Sequence, residues 1–197
     1  IDCLVCLGGG GTQKNALRLK EDGGINVITL PKTIDNDVSG TYVTFGYDTA
    51  VQIATNAIDR LHTTATSHHR VMVCEIMGHK TGWLALAAGV AGGADVILIP
   101  EIPYDLQVVS DYLLERRRRG SRFSIIAVAE GAKSLEDSKG KDKKSSKKSD
   151  SDDQDDSDEL DIQKYLAHGP ISGRIAHRLQ ELTGIDTRVT SLGHVQR

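Results

Sequence analysis

The chain has 197 residues, enough for one sizeable domain or for two small lobes around a shared cleft, each with a core to bury. Hydrophobic residues make up 39% and the mean hydropathy is −0.28; with apolar runs well short of a bilayer span, this excludes an integral membrane protein and a wholly disordered chain. The formal charge of −3, from 24 basic and 27 acidic residues, provides no global attraction for nucleic acid or for an anionic membrane. In chain order, Ile1 to Leu7 is a strand-like apolar run that stops at Gly8-Gly9-Gly10-Gly11-Thr12, and Gln13 to Glu21 has helix-forming composition closed by Gly23-Gly24. Ile25 to Leu30 is a second strand, followed by a polar loop from Pro31 to Gly40. The spacing of Val51, Ile53, Ala54, Ala57, Ile58 and Leu61 predicts a helix over 49–62. Val71 to Ile76, Ala94 to Pro100 and Phe123 to Ala129 are strand-like, with helices predicted over 82–91, 106–118 and 171–183. Strands alternating with helices indicate an α/β fold, here two lobes with mostly parallel sheets, whose ligands bind at the carboxyl ends of the strands.

Ser134 to Asp161 breaks this rhythm. It holds a Lys/Ser block and then an Asp/Ser block with almost no apolar residue, so burial cannot offset its ordering entropy, and a disordered surface insertion is expected there. Between Lys139 and Asp161 lie six Lys and nine acidic residues; the rest of the chain balances at 18 of each sign. Three cysteines, Cys3, Cys6 and Cys74, are an odd number, poor material for a disulfide framework and consistent with a reducing cytoplasm. The CxxC spacing of Cys3 and Cys6 lacks a second pair to complete a zinc site, and residues i and i+3 of a strand point to opposite faces, so burial is the expected role. No charged segment followed by an apolar one opens the chain, so no secretory signal is expected, and the start at Ile1 without an initiator Met is that of a fragment. Arg116 to Arg119, four arginines before Gly120, read as favourable charges at a helix C-terminus.

Chemistry concentrates in two places. Four glycines between a strand and a helix let the backbone approach a ligand while the helix aims unpaired N–H groups at it, which suits a phosphate as well as a plain turn. Pro31 to Asp37, PKTIDND, crowds a Lys, a hydroxyl and two carboxylates directly after a strand. Phosphoryl transfer to a hydroxyl needs such groups: a carboxylate to accept the proton, another to hold Mg²⁺, and a cation against the phosphates. An ordinary Asx-rich turn has similar composition.

PKTIDND, Glu75-Ile76-Met77-Gly78, Ala91-Gly92-Gly93-Ala94-Asp95, Pro100-Glu101, Val128-Ala129-Glu130 and Leu192-Gly193-His194-Val195-Gln196-Arg197, in this order and at these intervals, resemble the 6-phosphofructokinase family. The resemblance implies a phosphotransferase that moves a phosphoryl group from ATP, or from pyrophosphate, to the 1-hydroxyl of fructose 6-phosphate. It implies Asp35 as the base, Thr33 as a hydrogen-bond partner of the transferring group, Asp37 near Mg²⁺, and Gly8, Gly9, Gly10, Gly11, Thr12 and Lys32 around the donor. Met77 with Gly78 and Glu130 would grip the sugar, and Arg188, His194 and Arg197 would meet its 6-phosphate. Arg70 and Arg188 in relatives reach a neighbouring subunit's site, so a homo-oligomer with shared sites is implied. Residues 1–46 then belong to the nucleotide lobe and 47–197 to the sugar-phosphate lobe.

Two departures fall on the donor side. Gly10 stands where the family commonly has an Asp that helps hold Mg²⁺, and His79 where relatives often place an Arg that steadies the transferring phosphate. Gly11 favours ATP, whereas Lys32 resembles the pyrophosphate-dependent type. The alternatives are a pyrophosphate-dependent enzyme, a sugar-phosphate-binding regulatory subunit with impaired chemistry, or an interaction module built on the charged insertion.

Overall fold

The structure, a computed structural model, describes residues 1–136 and 169–197. Two parallel sheets organise it. The smaller pairs β1 (Leu4–Gly8) with β2 (Val27–Pro31), Leu4 opposite Val27 and Gly8 opposite Pro31, with α1 (Gly10–Gly23) as the crossover. Helix α1 packs on this sheet, while Val5, Leu7 and Ile28 are half exposed or more. Cys6 and the preceding Cys3 are only partly buried, less than expected, whereas Cys74 is fully buried; all three are free thiols.

The larger sheet has the order β4-β5-β3-β6, all parallel, from β3 (Val71–Ile76), β4 (Val96–Leu98), β5 (Ser124–Ala129) and β6 (Thr187–Ser191). Its central strands are hydrophobic on both faces, as a sheet covered on both sides requires. Met72, Cys74, Ile76, Ile125, Ala127 and Ala129 pack against α2 (Tyr47–His68) and α3 (Trp83–Ala91) through Ala50, Ala54, Ile58, Leu84 and Ala88. The alternate residues Val71, Val73, Ile126 and Val128 pack against α4 (Leu106–Arg118) and α5 (Ile171–Thr183) through Val109, Leu113, Ile175 and Leu179. The result is a helix–sheet–helix sandwich whose strand carboxyl ends form one edge.

Strands β1, β2 and β4 begin two or three residues later than expected, and three elements depart further from the sequence-based reading. Helix α1 begins at Gly10, so three of the five residues expected in the glycine loop form its first turn. Helix α2 runs on to His68 because Ala65 is fully buried and Thr66 donates its hydroxyl to the His62 carbonyl at 2.7 Å, which accommodates a polar Thr/Ser stretch. Strand β6 has no apolar alternation to announce it; it exists because β3 offers a register from Val71–Thr187 to Glu75–Ser191. A 3₁₀ turn, Gly193–Gln196, follows it. The charged insertion lies outside the described residues apart from its first three positions. There the chain is still paired, with Ser134 bridging Tyr104 and the Leu135 N–H donating to the Tyr104 carbonyl at 2.8 Å.

Candidate functional site

The glycine loop and the loop after β2 meet because their strands are register partners. The Gly8 carbonyl accepts the Lys32 N–H at 3.1 Å and the Gln13 side-chain amide at 3.0 Å. A methyl group on Gly9 would sit 3.4 Å from the Thr33 Cβ. Helix α1 starts beside Thr33 with no side-chain cap and no acidic residue in its first turn, leaving its initial N–H groups available. Gly10 and Gly11 are exposed, Thr12 folds its side chain over Gly8, and Lys32 is exposed.

The loop carrying Asp35 is knit internally. The Thr33 hydroxyl accepts the Asp35 N–H at 3.2 Å and lies 3.4 Å from the Asp35 Oδ2. The Thr33 carbonyl accepts the buried Thr44 hydroxyl at 2.7 Å, and the Asn36 side-chain oxygen accepts the Thr44 N–H at 2.9 Å. Gly46 caps α2 at φ +104°, a conformation costly for any side chain, and packs against Ile34 and the Thr33 carbonyl. Asp35 is part-buried, Asp37 exposed. Burial first, and Asp37 next, push the Asp35 carboxyl above its ordinary value of 3.8; Glu130 adds to the rise, while the Thr33 hydrogen bond and His79 oppose it.

Glu130 follows β5 and acts on the turn after β3: its Oε1 accepts the N–H of Gly78 at 3.2 Å and of His79 at 2.7 Å. Gly78 has φ +156° and a methyl there would lie 2.6 Å from the Thr81 carbonyl, so glycine is required. The Met77 N–H donates to the side-chain oxygen of Gln196, which is fully buried, at 3.0 Å. This ties the 3₁₀ turn bearing exposed His194 and Arg197 to the same edge. Glu75 secures the arrangement from below, its Oε2 accepting the Ser172 hydroxyl at 2.6 Å and its Oε1 the Ser191 hydroxyl at 3.0 Å. Gln196, Glu75 and Thr81, whose hydroxyl donates to the Asp35 carbonyl at 2.9 Å, were not singled out from sequence. Glu75 and Gln196 did lie inside motifs that were.

Arg70 and Arg188 are elsewhere. They precede β3 and open β6 at the amino edge of the sheet, roughly 20 Å along the strands from Met77. Both pair with Asp186, Arg188 at 2.9 Å to Oδ1 and Arg70 to Oδ2. One chain therefore gathers Asp35, Thr33, Met77, Gly78, His79, Glu130, His194 and Arg197 at one end and presents two arginines at the other. Arg116 does more than the sequence suggested: it pairs with Asp95 at 2.6 Å, both side chains largely buried, and its Nε donates to the Ser124 hydroxyl. A cavity of about 590 Å³ between α4 and α5 contains none of the predicted site residues.

A family model described as Phosphofructokinase matches residues 1–197. The chain belongs to the phosphofructokinase family. It is 57% identical over 198 residues to the ATP-dependent 6-phosphofructokinase of Spirochaeta thermophila, covering 100% of this chain and 50% of the relative. It is 50% identical over 200 residues to the ATP-dependent 6-phosphofructokinase of Propionibacterium freudenreichii, covering 100% of this chain and 53% of the relative. The chain thus spans about half the length of the curated relatives it matches. Among solved structures, phosphofructokinase from Saccharomyces cerevisiae superposes with a TM-score of 0.73 at 32% identity, over 100% of this chain and 26% of that one. A pyrophosphate-dependent phosphofructokinase from Nitrosospira multiformis shares the fold, with a TM-score of 0.78 at 22% identity, over 100% of this chain and 46% of that one.

Proposed function

We propose that this chain supplies the sugar-phosphate site and the general base of an ATP-dependent 6-phosphofructokinase. The 1-hydroxyl oxygen of fructose 6-phosphate attacks the terminal phosphorus of ATP, the bond from that phosphorus to the ADP oxygen breaks, and Asp35 accepts the hydroxyl proton. The observation that carries this reading is the position of Asp35: part-buried, with raised proton affinity, in electrostatic reach of Glu130 and His79, and joined through Thr33 to the glycine loop. A base with raised proton affinity takes a proton from an alcohol more readily. The names of the similar bacterial proteins favour ATP as donor.

Residues 1–46 would serve the nucleotide and 47–197 the sugar phosphate. Glu130 and the Met77–Gly78 backbone would orient the sugar, and His194 and Arg197 would receive its 6-phosphate, for which a guanidinium fork is well matched. Gly8 to Thr12 and Lys32 would face the donor phosphates. Mg²⁺ would be held by Asp37, an exposed carboxylate in electrostatic reach of Asp35, together with substrate oxygens, since this ion is commonly held by one or two carboxylates plus substrate phosphates. Among the described residues no three His, Cys, Asp or Glu side chains gather into a larger cage. When bound, Mg²⁺ would neutralise charge on the phosphates. Arg70 and Arg188 would serve a second copy of the chain, making the protein a homo-oligomer. Among the described residues no helix is long and apolar enough to cross a membrane, and the unpaired thiols suit a cytoplasmic location.

Lys32 favours a second reading, pyrophosphate as donor. An assay of the protein carrying this chain, with fructose 6-phosphate and either ATP or pyrophosphate, separates the two. Turnover with ATP is expected. Turnover with pyrophosphate alone reassigns the donor, and sugar binding without turnover on either makes the chain a regulatory binding subunit.

A further inference from the structure

We infer that Thr81 is a positioning residue that fixes the loop carrying Asp35 against the turn that grips the sugar, an inference that rests on the function proposed above. Its hydroxyl donates to the Asp35 carbonyl at 2.9 Å, a bond between residues 46 apart in sequence. The Gly78 carbonyl lies 3.2 Å from the same hydroxyl but already accepts the Thr81 N–H at 2.9 Å. A hydroxyl has one proton to give, and its shorter bond is the one to Asp35.

Thr81 is a firm post from which to hold that loop. On one side the turn it closes is pinned by the two N–H bonds to Glu130 and by the glycine-only conformation at Gly78. On the other side the Gly82 N–H is held by Glu101 Oε1 at 2.8 Å. The Asp35 loop, by contrast, is tied mainly to itself through Thr33, Asn36 and Thr44, and meets the larger unit through apolar packing of Ile34. Apolar packing is non-directional; the Thr81 hydrogen bond sets orientation. A base must lie within hydrogen-bond reach of the hydroxyl it deprotonates, and misplacement by about 1 Å costs about a hundredfold in rate.

The test compares Thr81→Val, which keeps the shape and loses the donor, with Thr81→Ser, which keeps the donor. Two readouts are taken: amide hydrogen exchange at Asp35 and Thr44, and kcat and KM for fructose 6-phosphate with ATP. The Val variant is expected to exchange about tenfold faster at these amides and to lose about tenfold in kcat, with KM changed less than about twofold because the Gly78 turn keeps its backbone bonds. The Ser variant is expected to restore both. Unchanged exchange in Thr81→Val overturns the inference, as does an equal loss in the Ser variant. If the wild-type protein transfers no phosphoryl group, the proposed function fails while the exchange comparison still decides whether Thr81 holds the loop.

Discussion

Burial and the neighbouring Asp37 raise the proton affinity of Asp35, so the folded state is strained whenever this carboxyl is ionised. The folded pKa lies above the unfolded one. The protein is therefore relatively more stable below the unfolded value, near 3.8, and loses that advantage as pH rises through the folded value. Asp35→Asn is accordingly expected to raise Tm at pH 7, with the gain shrinking as pH falls and vanishing below the unfolded pKa. Thermal melts of both proteins across pH 3–8 check this. A second residue-scale prediction concerns Gly10. It is exposed, does not have positive φ, and a Cβ there meets nothing within 4 Å. Gly10→Asp should fit without strain and, as an acidic group in the first turn of α1, stabilise by about 0.3–1 kcal/mol in the absence of metal. The Mg²⁺ concentration needed for half-maximal turnover should also fall, since the site gains a carboxylate. A lower Tm would show that position 10 does not tolerate the charge.

Among the elements, α3 shows how local sequence and packing combine. Its preceding residue, Gly82, lies so close to the sheet edge that a methyl group would stand 2.5 Å from the Ile99 Cβ and 2.6 Å from the Glu101 Oε2. Ile99 is branched at that carbon and cannot swing aside, so Gly82→Ala should destabilise by about 1–3 kcal/mol through overpacking, measurable by urea denaturation. Strands β1 to β5 and all five helices of the described residues were legible in the sequence, the strands as short apolar runs, α2 by its apolar periodicity and α1 by helix-forming composition closed by glycines. Strand β6 was not, since TRVTS carries two Thr, one Arg and one Ser, and its identity as a strand lies in the β3 register rather than in its own pattern. The candidate site was readable as motifs, with Asp35, Glu130 and His194 all on loops that follow strands. Gln196 and Thr81 were not readable as links, because each acts on a backbone group 119 or 46 residues away. No spacing rule connects such pairs. The separation of Arg70 and Arg188 from the remaining residues likewise required the strand directions.

At the scale of the whole molecule, that separation predicts shared sites. Under the proposed function, the Arg188 that cannot reach its own chain's Asp35 and Glu130 end would come from another copy of the chain. Mixing Asp35→Asn chains with Arg188→Ala chains, each inactive alone, should therefore restore activity, to about one quarter of the wild-type rate in a randomly mixed dimer. Absence of complementation in a proven mixed oligomer would place Arg188 outside the site. The proposed function depends on Asp35 as the base, and the most direct measurement is turnover of fructose 6-phosphate by wild type and Asp35→Asn, with sugar-phosphate affinity measured on the same two proteins. The predicted result is a loss of about 10²- to 10⁴-fold in kcat, with affinity changed little; turnover by Asp35→Asn at the wild-type rate would contradict the account.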